Sequence, residues 1–153
     1  MPIEVVAADP RVEPGAGLLA AMVSEIVGLY GRIEGDARRV EAPPAGVVGP
    51  GGAFLAVFDD GAPVACGGVR RLDEEVGEIK RMYVVPAARG RGFGRRLLDA
   101  LEDAARGLGY ARVRLDTGSR QPAAVALYRA AGYEEIADYN GNVLASYWFE
   151  KGL

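Results

Sequence analysis

The chain has 153 residues, half of them hydrophobic, which suits one domain able to bury a sizeable core. Its formal net charge is −3 and its pI is near 5.1, which argues against a general nucleic-acid binder. It has no histidine and one cysteine, Cys66, which removes His-based triads, imidazole bases, the usual zinc-ligand sets and any internal disulfide.

The N-terminus, Met1-Pro2-Ile3-Glu4, carries no signal-peptide pattern, and no apolar run is long enough to span a membrane; the expectation is a soluble, cytoplasmic protein. Ile3 to Ala8 is short and apolar and reads as an opening strand. From about Gly17 the spacing is helical: Leu18, Leu19, Met22, Ile26, Leu29 and Tyr30 share one face, and the helix should end near Gly31. Glu25 and Arg32 flank that face and read as solvated surface charge. Residues 32–52 hold Asp36, Arg38 and Arg39, then Pro43-Pro44 and Gly49-Pro50-Gly51-Gly52. The first part suits a short helix and the second a loop; connections of this length often serve as lids.

Ala53 to Phe58 reads as a strand, Asp59-Asp60-Gly61 as a hairpin turn, Ala62 to Leu72 as the returning strand, and Asp73-Glu74-Glu75 as another turn. Cys66 falls within the returning strand and reads as a small core residue, with no histidine to activate it. Arg70, Arg71 and Arg81 read as exposed strand charges. Glu78 to Val85 is the third antiparallel strand and stops at Pro86. The loop Arg89-Gly90-Arg91-Gly92-Phe93-Gly94-Arg95 follows, then Arg96 to Leu108 with Leu97, Leu98, Leu101, Ala104 and Ala105 at helical spacing. A helix start leaves backbone N–H groups unpaired and carries partial positive charge. Glycine lets the backbone approach a ligand closely, and arginine adds full charge. This strand, glycine-rich turn and helix make a site for a phosphate or pyrophosphate. It is not a Walker loop, since Gly-Lys-Ser/Thr is missing, and the dinucleotide fingerprint fails because its third glycine falls on Arg95.

Gly107 and Gly109 punctuate the helix end. Ala111 to Thr117 alternates and reads as a strand, parallel to the one before the helix by a right-handed crossover. Gly118 to Gln121 is loop. Pro122 opens a helix carrying Ala123, Ala124, Leu127, Tyr128 and Ala131, which Gly132 ends. Tyr133 to Asp138 and Val143 to Glu150 are the last strands, with Asn140-Gly141 as a tight hairpin turn between them; Tyr147 and Trp148 read as core or rim aromatics.

Two segments resemble the GCN5-related N-acetyltransferase family. One is Arg89-x-x-Gly92-x-Gly94 after a strand ending Met82-Tyr83-Val84-Val85-Pro86. The other is Ala124-Val-Ala-Leu127-Tyr128-Arg-Ala-Ala-Gly132-Tyr133. Together they cover the C-terminal half; the N-terminal half matches in element order. The resemblance implies a mixed α/β fold: a mostly antiparallel sheet, a central parallel pair of strands that splay apart, and helices on both faces. It also implies acetyl-coenzyme A as acyl donor. Backbone N–H groups of Arg89, Gly90, Arg91, Gly92, Phe93, Gly94 and Arg95 would hold its pyrophosphate, and Met82, Tyr83 and Val84 would pair with its pantetheine arm as an added strand. Tyr128 stands where the family's general acid stands, and Glu78 near the start of the strand that carries a base in some members. Gln121 replaces the family's frequent Asn, keeping the amide on a longer side chain.

The chemistry is compatible with a chain without histidine. An alkylammonium of pKa ~10.4 must lose a proton, and Glu78 could take it; Glu78 otherwise reads as a solvated strand-end carboxylate. A strand N–H near Met82 could meet the oxyanion. A thiolate of pKa ~8.5 leaves, and a tyrosine of pKa ~10 can protonate it. Tyr128 otherwise reads as a core aromatic with a wet hydroxyl. The expectation is an N-acetyltransferase acting on a primary amine of a small molecule by direct attack in a ternary complex, with no metal, nucleic acid or membrane partner, and with edge strands that permit a homodimer. The alternatives are a protein or peptide N-acetyltransferase, a non-catalytic acyl-coenzyme A sensor, and another nucleotide-binding α/β protein.

Overall fold

The computed structural model describes residues 2–31 and 45–153. The expectations for Arg32 and for a short helix at 36–39 lie outside the described residues, as does the 32–44 part of the lid expected at 32–52. The elements run β1 (Ile3–Ala7), α1 (Gly15–Tyr30), β2 (Ala53–Asp59), β3 (Ala62–Arg71), β4 (Val76–Val84), a 3-10 turn at Pro86–Ala88, α2 (Phe93–Gly107), β5 (Arg112–Thr117), α3 (Pro122–Ala130), β6 (Glu134–Ile136) and β7 (Tyr147–Gly152). The strands form one seven-stranded sheet in the order β1-β2-β3-β4-β5-β7-β6. Among the described residues, no helix is long and apolar enough to cross a membrane.

Every neighbouring pair is antiparallel except β4 and β5, joined by the crossover through α2. That parallel pairing is short: Val76 faces Arg112, Gly77 faces Val113, and Glu78 faces Arg114. Beyond Glu78, β4 stays with β3 as far as Val84 opposite Ala65, while β5 stays with β7 as far as Thr117 opposite Tyr147. The two strands therefore part immediately after Glu78 and Arg114, which is the splayed pair that the resemblance implied.

Helices cover both faces. The α2 stripe of Leu97, Leu98, Leu101 and Ala105 is fully buried with Val69, Val113, Leu115 and Phe149. Each buried leucine contributes about 1.5–3 kcal/mol relative to exposure. On the other face Leu18, Leu19 and Met22 of α1 pack with Phe54, Cys66, Tyr83 and Val47. Cys66 is a core residue as expected, and burial pushes its thiol up to about 12.

The largest departure from the sequence reading is at the C-terminal end. β6 stops at Ile136, β7 starts at Tyr147, and residues 137–146 form a broad connection rather than a tight Asn140-Gly141 hairpin. Asp138 Oδ1 accepts from the N–H groups of Asn140 (2.9 Å) and Gly141 (2.7 Å), so the turn is made locally by a side chain. Tyr139, Asn140 and Asn142, expected between the two strands, instead spend their side chains across the sheet, as described below.

A bulge interrupts β3 and β4. Cys66 faces Tyr83 and Gly68 faces Lys80, so Gly67 stands against both Arg81 and Met82. Arg81 takes a left-handed φ of 60° there. A Cβ on Gly67 would lie 3.0 Å from Leu101 Cδ1, 3.1 Å from Met82 Cγ and 3.3 Å from Leu97 Cδ2. The bulge and the seat of α2 thus share one crowded point. Gly67→Val is expected to lower stability by about 1–3 kcal/mol through overpacking, read as a lower urea midpoint; an unchanged midpoint would mean the α2 seat can yield.

Candidate active site

The glycine-rich loop is anchored at both ends by buried side chains, Ala88 and Phe93. Gly90 (φ 78°) and Gly92 (φ 84°) occupy the left-handed region, which lets the chain turn directly into α2. The first helical hydrogen bond runs from Arg96 N to Gly92 O (3.1 Å), so the N–H groups of Phe93, Gly94 and Arg95 precede the ladder at the positive end of the helix. A Cβ built on Gly90 or Gly92 meets no protein atom within 4 Å, so the space in front of this backbone is open. Such a cradle fits a pyrophosphate.

The arginines of the loop are not loose charges. Arg91 pairs with Asp59 at 2.8 Å and lies over the Phe93 ring, and Arg95 pairs with Asp99 at 3.1 Å. Arg89 Nε donates to Val84 O (2.9 Å), its Nη2 reaches Glu25 of α1 (2.7 Å), and its guanidinium lies over the Tyr83 ring. Glu25, read from sequence as solvated surface charge, therefore ties α1 to the loop. The far end of α1 reaches the other side of the gap: Tyr30 Oη accepts from Arg120 N (3.1 Å), and Leu29 O accepts from the Arg120 guanidinium. α1 thus bridges the parted strands.

Met82, Tyr83 and Val84 lie on the part of β4 beyond its pairing with β5. Tyr128 of α3 is buried against Tyr133 and Phe149, with ring centroids 5.8 and 6.0 Å away. Its hydroxyl donates to Met82 Sδ at 3.7 Å, which brings the α3 tyrosine to the parted segment of β4. Burial, and then the charge of Asp116, raise its pKa above the ordinary phenol value, so it keeps its proton. It is a buried aromatic whose hydroxyl meets a sulfur. Gln121 caps α3, and its Oε1 accepts from Gly118 N and Thr117 Oγ1, both at 3.4 Å, closing the turn after β5.

Glu78 is fully buried, which overturns its reading as a solvated strand-end carboxylate. Oε1 accepts from Arg70 Nε (2.9 Å) and Nη2 (2.8 Å). Oε2 accepts from Tyr139 Oη (2.7 Å) and Asn140 Nδ2 (3.2 Å). Burial alone would raise its pKa, but Lys80, the Tyr139 hydroxyl and Arg70 outweigh it and hold the carboxyl below its ordinary value. Asn140 Nδ2 also donates to Asp116 Oδ2, and Trp148 Nε1 fixes the amide by donating to Asn140 Oδ1 (3.0 Å). Asn142 Nδ2 donates to Asp116 Oδ1 (3.1 Å), and Lys80 lies 3.9 Å from Oδ2.

Sequence reasoning missed Asp116, Tyr139, Asn140 and Asn142, and took Arg70 and Arg81 for exposed strand charges. Arg70 is half-buried against Glu78, and burial lowers the Arg81 pKa. One signal was available: a turn at 73–75 places Arg70 opposite Glu78 on adjacent antiparallel strands. The 137–146 loop carries no such register, so its reach across the sheet had no sequence signature.

Comparisons with known proteins find similar sequences and a similar fold. The family model described as the acetyltransferase (GNAT) family covers residues 24–133, more than half of the chain. The chain is 44% identical over 84 residues to IAA acetyltransferase of Azospirillum brasilense, the match spanning 54% of each. It is 36% identical over 102 residues to N-alpha-acetyltransferase RimI of Mycobacterium tuberculosis, spanning 61% of this chain and 62% of that one. The chain spans about half the length of the curated relatives it matches. A solved structure from Klebsiella pneumoniae, named for an acyl-CoA N-acyltransferase, is similar over 99% of this chain and 97% of its own, with a TM-score of 0.76 and 30% identity.

The depressed Glu78 pKa has a stability consequence of definite sign. A carboxyl whose folded pKa lies below its ordinary value of about 4.3 contributes stability that is present above that pH and lost as pH falls through the folded value. Glu78→Gln is therefore expected to cost stability at pH 7 and progressively less as pH drops below about 4.3. Urea midpoints of both proteins across that range check this; a gap that stays constant with pH would mean that ionisation of Glu78 adds nothing to the fold.

Proposed function

Because the chain belongs to the acetyltransferase (GNAT) family, we propose that it is an acetyl-coenzyme A-dependent N-acetyltransferase that transfers the acetyl group to a primary amine of a small molecule by direct attack in a ternary complex. The observation that carries this reading is the parting of β4 from β5 just beyond Glu78 and Arg114, with the Gly90–Gly94 cradle at one end and the Tyr128 hydroxyl against Met82 within it. The pyrophosphate of the donor lies on the N–H groups that open α2, and its pantetheine arm enters beside Met82, Tyr83 and Val84 as an added strand.

The acceptor arrives as an ammonium of pKa ~10.4, and Glu78, held ionised by Arg70, Lys80 and Tyr139, is the base that takes its proton. The free amine attacks the thioester carbonyl, and a β4 N–H near Met82 donates to the oxyanion. As the C–S bond breaks, Tyr128, kept protonated by burial, passes its proton to the departing sulfur and regains one from the attacking nitrogen, which leaves a neutral amide, a free thiol of pKa ~8.5 and a neutral phenol. The 36% identity to a relative named N-alpha-acetyltransferase favours a second reading for the acceptor alone, a peptide N-terminus.

Thiol release from acetyl-coenzyme A, measured against polyamines, amino acids, aminoglycosides and short peptides with a thermal shift on coenzyme A in parallel, tests the proposal. Turnover with a small amine is the expected result. Turnover with peptides alone moves the acceptor to the second reading. A coenzyme A shift without turnover points to a non-catalytic binder, and no shift overturns the reading of the loop. Gly92→Glu, which forces a side chain and a negative charge onto a left-handed position in the cradle, is expected to abolish coenzyme A binding by calorimetry. Tyr128→Phe is expected to lower kcat by ~10²–10⁴ while leaving donor affinity within a few-fold; wild-type turnover would remove Tyr128 from the chemistry.

A further inference from the structure

A base must exchange a proton with its substrate, and Glu78 is too deeply buried to touch one. Oε1 is filled by the Arg70 fork, and Oε2 is shared by Tyr139 and Asn140. A guanidinium and a side-chain amide are both poor proton carriers. Tyr139 differs. Its hydroxyl spends its one hydrogen on Glu78 Oε2 at 2.7 Å and keeps lone pairs free to accept another. Tyr139 itself is only half-buried and sits on the 137–146 connection, over the point where β4 and β5 part.

We propose that Tyr139 is a catalytic residue that relays the acceptor's proton to Glu78, the two acting as one base. This rests on Glu78 being the base. In the step, one N–H bond of the acceptor ammonium breaks and leaves its electron pair on nitrogen for the attack. That proton bonds to Tyr139 Oη as the phenol's own O–H breaks toward Glu78 Oε2. Tyr139 ends neutral and Glu78 ends as a carboxylic acid, which returns its proton to solvent by the reverse path once the product has left.

The surroundings suit a relay that never ionises. Burial, the Glu78 charge and the hydrogen bond to it raise the Tyr139 pKa, so a free phenolate is disfavoured and the two transfers are concerted. Asp116 acts in the same direction and Arg114, lying over the Tyr139 ring at 5.5 Å, opposes it; Lys80, Arg70 and Arg81 are the other charges facing the pair. Asp116 also acts on Tyr128, so both phenols lie within reach of one carboxylate.

The experiment compares wild type, Tyr139→Phe, Glu78→Gln and the double variant by thiol release from acetyl-coenzyme A, using the fastest amine of the panel above and, as a second acceptor, water alone. Tyr139→Phe keeps the ring that Arg114 covers, and a coenzyme A thermal shift confirms that each variant is folded. Tyr139→Phe is expected to lower kcat at pH 7 by ~10² or more with the KM for acetyl-coenzyme A unchanged. With the amine, its loss should shrink as pH rises toward the amine's pKa and the acceptor arrives already deprotonated. The double variant should be no slower than Glu78→Gln, because both residues lie on one path. Wild-type turnover by Tyr139→Phe beside an impaired Glu78→Gln overturns the relay and leaves Glu78 as the base. A loss that is the same at every pH also overturns it, marking Tyr139 as structural. Wild-type turnover by Glu78→Gln overturns the base reading itself and the relay with it.

Discussion

A buried carboxylate at the last shared rung of two parallel strands sets the layout of this site. Removing a charge from water costs several kcal/mol, so Glu78 must be surrounded by donors wherever it sits. Here the donors come from two elements: Arg70 from the neighbouring strand, and Tyr139 and Asn140 from the 137–146 connection. Asn140 passes the demand on to Asp116 and is itself oriented by Trp148. The C-terminal connection therefore cannot close as a short hairpin, because its side chains are committed across the sheet.

The strands part from the same rung. β4 and β5 pair only as far as Glu78 and Arg114, and beyond that rung each follows its other neighbour. The bulge at Arg81 and Met82 turns β4 away while α2 fills the space behind it. The gap is bridged on one face by α1, through Glu25 to Arg89 and through Leu29 and Tyr30 to Arg120. Exposed ion pairs contribute little to stability, so the Glu25–Arg89 contact matters as a positional link between the first helix and the glycine loop rather than as a source of free energy.

Much of this was legible in the chain. The α2 stripe of Leu97, Leu98 and Leu101, the loop with left-handed Gly90 and Gly92, the three antiparallel strands and the helix carrying Tyr128 all rest on local rules: helical spacing, glycine's tolerance of positive φ, and alternation within a strand. The boundaries of β6 and β7, the largest departure from the sequence reading, shifted where local rules met a competing demand from elsewhere in the fold.

The division follows from range. Sequence by itself determined most of the elements, the glycine-rich turn into α2 and the family, because each depends on residues a few positions apart. Tertiary structure alone decided that Glu78 is buried rather than solvated, and that Tyr139 and Asn140, more than sixty positions away in the chain, join Arg70 as its hydrogen-bond donors. The energy of a buried charge is set by everything within a few ångströms of it, and that neighbourhood exists only once strand order and the path of the connecting loop have been settled.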